Sequence, residues 1–144
     1  MSVVDYEKLR NSLRRLELQY RNYESLEKHA QLTDLDREAI RESVIRRFET
    51  CYDTLWKHIR RHLIAALGLP ADATPNSPKP VLRIAHENHL LSDMDAWLRY
   101  AQIRIDTSHG YGEEKIENAL QHMAAFIGDA TSVYETMTTT QWEK

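Results

Sequence analysis

Apolar residues recur at steps of three and four from Ile40 to Ala66, in the order Ile40, Val44, Phe48, Cys51, Leu55, Ile59, Leu63 and Ala66. Only an amphipathic helix places such a series on one face, because about 3.6 residues complete a turn. Thr33 or Asp34 supplies its N-cap, and Gly68 and Pro70 close it. At about 1.5 Å per residue the helix spans on the order of 45 Å, so the rest of the chain must pack along it. A second stripe precedes it: Tyr6, Leu9, Leu13, Leu16, Tyr20 and Tyr23, with Lys8, Arg14, Arg15, Glu17 and Arg21 left for solvent. The short Gln31–Asp36 connection predicts that these two helices form an antiparallel hairpin.

The stretch Gly68–Lys79 carries Pro70, Pro75 and Pro78 and reads as a loop rather than a linker. Ser77-Pro78 opens a short helix bearing Val81, Ile84 and Ala85 and ending near Leu90, since proline is tolerated at the first helical position. Ser92-Asp93-Met94-Asp95 resembles a capping box for a fourth helix with Met94, Trp97, Leu98, Ala101 and Ile105 on its stripe. That helix must stop at Ser108-His109-Gly110-Tyr111-Gly112. A fifth follows, with Glu113, Glu114 and Glu117 where the helix dipole favours acid. Its stripe is Ile116, Leu120, Met123, Ala124, Ile127 and Tyr134. Strand-like alternation is absent, and four glycines and four prolines in 144 residues suit long uninterrupted elements. The prediction is an all-α, up-and-down bundle of four to five helices in a single domain, residues 1–144.

A formal net charge of −3 excludes a strongly basic nucleic-acid binder, so any phosphate contact must come from a local cluster. The lone cysteine, Cys51, lies in the apolar stripe and reads as a small buried hydrophobe. Met1–Arg15 has no apolar core of a signal peptide, and no apolar run nears the roughly 20 residues that span a bilayer. The expected setting is the cytoplasm, without a membrane. Phosphate-loop, His-Glu-x-x-His and Cys-x-x-Cys patterns are missing, so neither a metal nor a cofactor is expected.

Chemistry concentrates in Ile103–Gly112. Five helical steps set Arg104 and His109 roughly 140° apart. If the helix ends near Ser108, however, His109 can fold back toward Arg104. A guanidinium beside an imidazole suits a phosphodiester, one gripping oxygens and the other moving a proton. A dimer would bring two such halves into one cleft. An Arg and a His in a last helical turn are also a common C-cap arrangement, and spacing alone leaves both readings open. Arg46 or Arg47 is expected at the stripe's edge, facing the cleft or pairing with Glu49. The run Lys57-His58-Ile59-Arg60-Arg61-His62 is either a phosphate track or, as the preferred reading, a charged outer face. His58 and His62 have metal-pair spacing but no third ligand, and Trp56 and Trp97 read as core or interface anchors.

The segment Arg104-Ile-Asp-Thr-Ser-His109-Gly-Tyr111 resembles the Arg-x4-His-x-Tyr signature of HEPN-domain toxins, and more closely their nucleotidyltransferase substrate-binding branch. Glu42–Glu49 with Leu55-Trp56-Lys57, Ser77-Pro78 leading to Ala85, Asp95-Ala-Trp97 and Glu113-Glu114 extend the likeness from about Leu9 to Ile127. The resemblance implies a homodimeric, metal-independent endoribonuclease, the toxin of a type II toxin–antitoxin pair, with Arg104 and His109 catalytic. It also implies RNA as substrate and, as antitoxin, a minimal nucleotidyltransferase that adenylylates Tyr111. Where family toxins carry a polar residue after the arginine this chain has Ile105. Asp106, one step on, and Ser108 are the candidate supporting groups, together with Arg46 and Arg47. Ile105 motivates the alternative, a non-catalytic substrate-binding subunit of a minimal nucleotidyltransferase.

Overall fold

The computed structural model describes residues 4–143. Among the described residues five α-helices form the bundle: α1 Glu7–Glu24, α2 Asp34–Ala65, α3 Pro78–Glu87, α4 Met94–Ser108 and α5 Glu113–Thr138. No strand occurs among the described residues, so the all-α bundle is what forms. None of the helices is long and apolar enough to cross a membrane.

Helix α2 is the spine. Thr33 caps it by accepting from the Asp36 amide while Asp36 accepts from the Thr33 amide, both at 3.0 Å. Gly68, with φ of +75°, closes it in the left-handed conformation glycine adopts cheaply. Every stripe residue from Val44 to Leu63 is buried. Helix α1 runs antiparallel to α2: Leu9, Leu13 and Leu16 are buried at the interface, and Tyr6 at one end meets His62 at the far end of α2. Tyr6 is the residue preceding α1 rather than a member of it.

Two stripes sit differently from their predicted faces. In α4 the buried residues are Ala96, Trp97, Tyr100, Ala101, Ile103 and Thr107, while Ile105 is 41% exposed. The buried face is therefore turned by about one residue step, or 100°, from the expected one. Tyr100 drives the turn, because its ring packs edge-on against Trp97 and Phe126 and its hydroxyl reaches Asp129. In α5 the line drifts through Phe126, Ala130 and Val133, leaving Ala124 exposed and Ile127 half-buried. Phe126 joins α5 to α2 through Phe48, ring centroids 4.9 Å apart at 82°. The Ser92–Asp95 box is also half-formed. Asp93 is the N-cap, bonding the Ala96 amide at 3.2 Å, and the position that would return the bond is Ala96 itself. Helix α3 ends at Glu87, short of Leu90.

Trp56 and Trp97 are both core residues, at 8% and 2% exposure. The Lys57–His62 run is only partly the charged outer face expected of it. Lys57 and Arg61 are exposed, but His58 and His62 are buried beside the Tyr6 ring. Arg60 turns back to hold the 70–75 loop, donating to the carbonyls of Pro75 at 3.0 Å and Thr74 at 3.1 Å.

Candidate functional site

Helix α4 ends at Ser108 with His109 as C-cap, and Gly110, at φ +116°, turns the chain toward α5. This turn faces the middle of α2, where Glu49 and Asp53, four residues apart, present carboxylates on one flank. Arg104 reaches across to both. Its Nε and one terminal nitrogen bind the two Asp53 oxygens at 3.2 and 3.0 Å, and the other nitrogen binds Glu49 Oε2 at 3.0 Å. The Thr107 hydroxyl donates to the same Glu49 oxygen at 2.9 Å, and the Tyr111 hydroxyl donates to the other, Oε1.

Glu49 thus accepts from three residues and ties the α4–α5 turn to α2. The bidentate Asp53 contact, reinforced by its charge and that of Glu49, pushes the Arg104 guanidinium above its already high value. Burial, then the bond to Glu49, pushes the Tyr111 phenol up to about 12, with the Arg46 charge partly offsetting both. The phenol is therefore protonated at neutral pH and points its proton at a carboxylate.

Above this cluster opens a cleft of about 440 Å³ between α2, α4 and the start of α3. Tyr52, Pro78, Pro80, Ala101 and Ile105 form its apolar walls, while Asp53, Arg104, Ser108 and Lys79 give it polar edges. Burial and the neighbouring Asp53 charge push the Tyr52 hydroxyl well above its ordinary value. The cleft can hold an apolar or planar body and meet a hydroxyl or amine with a carboxylate.

Of the residues singled out in the sequence, Arg104 and Tyr111 converge, through Glu49. His109 does not join them. It is exposed, and its imidazole makes no hydrogen bond among the described residues. The fold-back of His109 onto Arg104 gives way because both sides of the guanidinium are already held by carboxylates. Asp106 accepts from Gln102 at 2.9 Å on the outer side of α4, and the Ser108 hydroxyl closes on the Ile105 carbonyl at 2.6 Å. Arg46 lies near Tyr111, whereas Arg47 faces away, into a groove shared with Arg15 of α1. Neither pairs with Glu49, whose partner is Arg104. Glu49's role, Asp53 and Thr107 went unforeseen. The signal that could have found them is two carboxylates at i,i+4 beside an apolar stripe, which invite a shared cation from a neighbouring helix. Among the described residues no three His, Cys, Asp or Glu side chains gather as metal ligands.

The chain aligns over 93% of its length with a structure from Haemophilus influenzae described as the fold of a substrate-binding domain of a nucleotidyltransferase. The alignment covers 99% of that chain, with a TM-score of 0.84 and 22% identity. A Thermus thermophilus structure aligns over 85% of this chain and 98% of its own, with a TM-score of 0.64 and 23% identity. These likenesses establish the shared fold. No curated protein matches the chain by sequence. The family model of nucleotidyltransferase substrate binding protein-like sequences matches residues 4–139, which include every side chain of the cluster. The chain belongs to that nucleotidyltransferase substrate-binding family.

Proposed function

We propose that the protein is the non-catalytic, substrate-binding member of a two-component nucleotidyltransferase, holding the acceptor while a separate catalytic chain supplies the nucleotide. The observation that carries this reading is the commitment of Arg104 to Asp53 and Glu49. A guanidinium that stabilises charge on phosphorus during RNA cleavage needs its donors free, and a proton carrier must stand beside it. Here the donors are spent on carboxylates and His109 stands apart, which counts against the ribonuclease reading. The same cluster suits a hydroxyl-bearing acceptor. Its body rests on Tyr52, Pro78 and Ile105, and its hydroxyl meets Asp53. In nucleotidyl transfer the acceptor oxygen attacks the α-phosphorus, pyrophosphate leaves, and the hydroxyl proton passes to a carboxylate.

A second reading is favoured by the Tyr111–Glu49 hydrogen bond: the acceptor is Tyr111's own hydroxyl, with Glu49 taking its proton. A nucleoside monophosphate left there would sit among Arg46 and Arg104. Affinity capture of the chain from cells that carry its gene, followed by mass spectrometry, tests both. Recovery of a nucleotidyltransferase is expected, and a nucleotidyl mass gain on Tyr111 would select the second reading. If no nucleotidyltransferase is recovered, or if purified chain cuts RNA in EDTA and His109→Ala abolishes the cutting, the substrate-binding role is overturned in both forms.

A further inference from the structure

On the flank of α2 away from the Glu49 cluster lies a second groove, about 380 Å³, between α1 and α2. Lys8, Asn11, Ser12 and Arg15 line it from α1, and Arg47, Thr50 and Thr54 from α2. All seven are polar, each has a side-chain donor, and none is acidic. On a chain of net charge −3 that is a marked local inversion. Several other arginines are engaged: Arg14 with Glu17, Arg41 with Glu113 and Glu117, Arg104 with Glu49 and Asp53, and Arg37 and Arg60 with backbone carbonyls. Lys8, Arg15 and Arg47 are exposed and make no ion pair or hydrogen bond among the described residues. The same face of α2 continues past Thr54 to Lys57 and Arg61, both exposed. From Arg47 to Arg61 is about 21 Å along the axis, so five cations form a strip rather than a point.

We infer that this strip binds the phosphate backbone of a nucleic-acid strand without reading its bases. The residue types decide between a strand and an acidic protein. Arg and Lys with Ser, Thr and Asn are the side chains that hold phosphate oxygens. A protein partner would require an apolar or aromatic centre, and this groove has none. No aromatic ring lines the groove, and the Trp56 ring beneath the Lys57 ammonium, 5.7 Å away, is buried, which removes base stacking and leaves charge and hydroxyl contacts. This inference stands apart from the acceptor-site reading, since the two surfaces share no side chain.

The test is binding of a fluorescein-labelled single-stranded oligonucleotide of mixed sequence, followed by anisotropy across a salt series. With five cations engaged at a slope of roughly 0.7 each, affinity should fall about 100-fold between about 50 and 200 mM salt. Arg15→Gln with Arg47→Gln should flatten that fall to about 20-fold, while Arg83→Gln, an exposed cation on α3, should leave it unchanged. Because all three sites are exposed, thermal melts of the variants should match the parent, separating lost binding from lost fold. An unchanged salt slope in the double variant, an equal loss in Arg83→Gln, or polyglutamate binding as tightly as the oligonucleotide would each overturn the inference.

Discussion

Glu49→Ala is the substitution that most directly interrogates the cluster, because one side chain accepts from three donors held by two elements. The Arg104–Glu49 pair is half-exposed, at 26% and 18% for the two side chains, and Arg104 keeps its bidentate hold on Asp53. That part of the loss is about 0.5–1 kcal/mol. The Tyr111 hydroxyl loses a bond to a charged acceptor, about 1.5 kcal/mol. Thr107 is only 3% exposed but can fall back on the Arg104 carbonyl at 3.2 Å, which limits its loss to about 0.5 kcal/mol. Together the cost is about 3 kcal/mol, or roughly 10 °C in Tm for a chain of this size. Urea and thermal melts followed by circular dichroism measure it, and hydrogen exchange locates it, with amides of the 109–113 turn losing protection before those of α2. Glu49→Gln, keeping one acceptor oxygen, should recover about half. A Glu49→Ala protein within about 0.5 kcal/mol of the parent would refute the claim that this carboxylate clasps the turn to the spine.

Two further outcomes follow from buried titratable groups. Burial lowers both His58 and His62 below the ordinary histidine value of 6.5, so the unfolded chain binds protons that the folded chain refuses. Their contribution is intact above 6.5 and is lost as pH falls through the lowered values, so urea midpoints should drop between about pH 7 and 5, and His58→Gln with His62→Gln should flatten the drop. Cys51 is fully buried and its thiol is pushed up to about 12, so a thiol reagent should label it only at the rate of unfolding and at once in denaturant.

The spine and its hairpin partner were legible in the sequence because each keeps an apolar series at a 3.6-residue period, Leu9 to Leu16 in α1 and Val44 to Leu63 in α2, that the fold buries throughout. In α4 and α5 the largest side chains override the period. Tyr100 and Phe126 are large enough to set the rotation of α4 and α5, and their preference for edge-to-face contacts depends on rings from three different helices. The site divided the same way. Arg104 and Tyr111 stood out through the spacing of a broken helix end. Their shared acceptor, Glu49, lies 55 residues before Arg104, and only its i,i+4 pairing with Asp53 sets it apart from the solvated glutamates around it. His109 shows the limit of spacing most plainly. The glycine turn does open beside it, but the partner it was matched with is already satisfied by charges from another helix.

One consequence of a continuous α2 concerns how the two surfaces could diverge over time. Glu49 and Asp53 alternate with Arg47, Thr50 and Thr54 along the same two turns, roughly a third of a revolution apart. A single inserted or deleted residue just upstream would swing both sets by about 100° at once, burying one and stranding the other. Point substitution can retune either flank alone. Any change in the length of the rod must be answered on both sides together, which binds the histories of two otherwise separate surfaces.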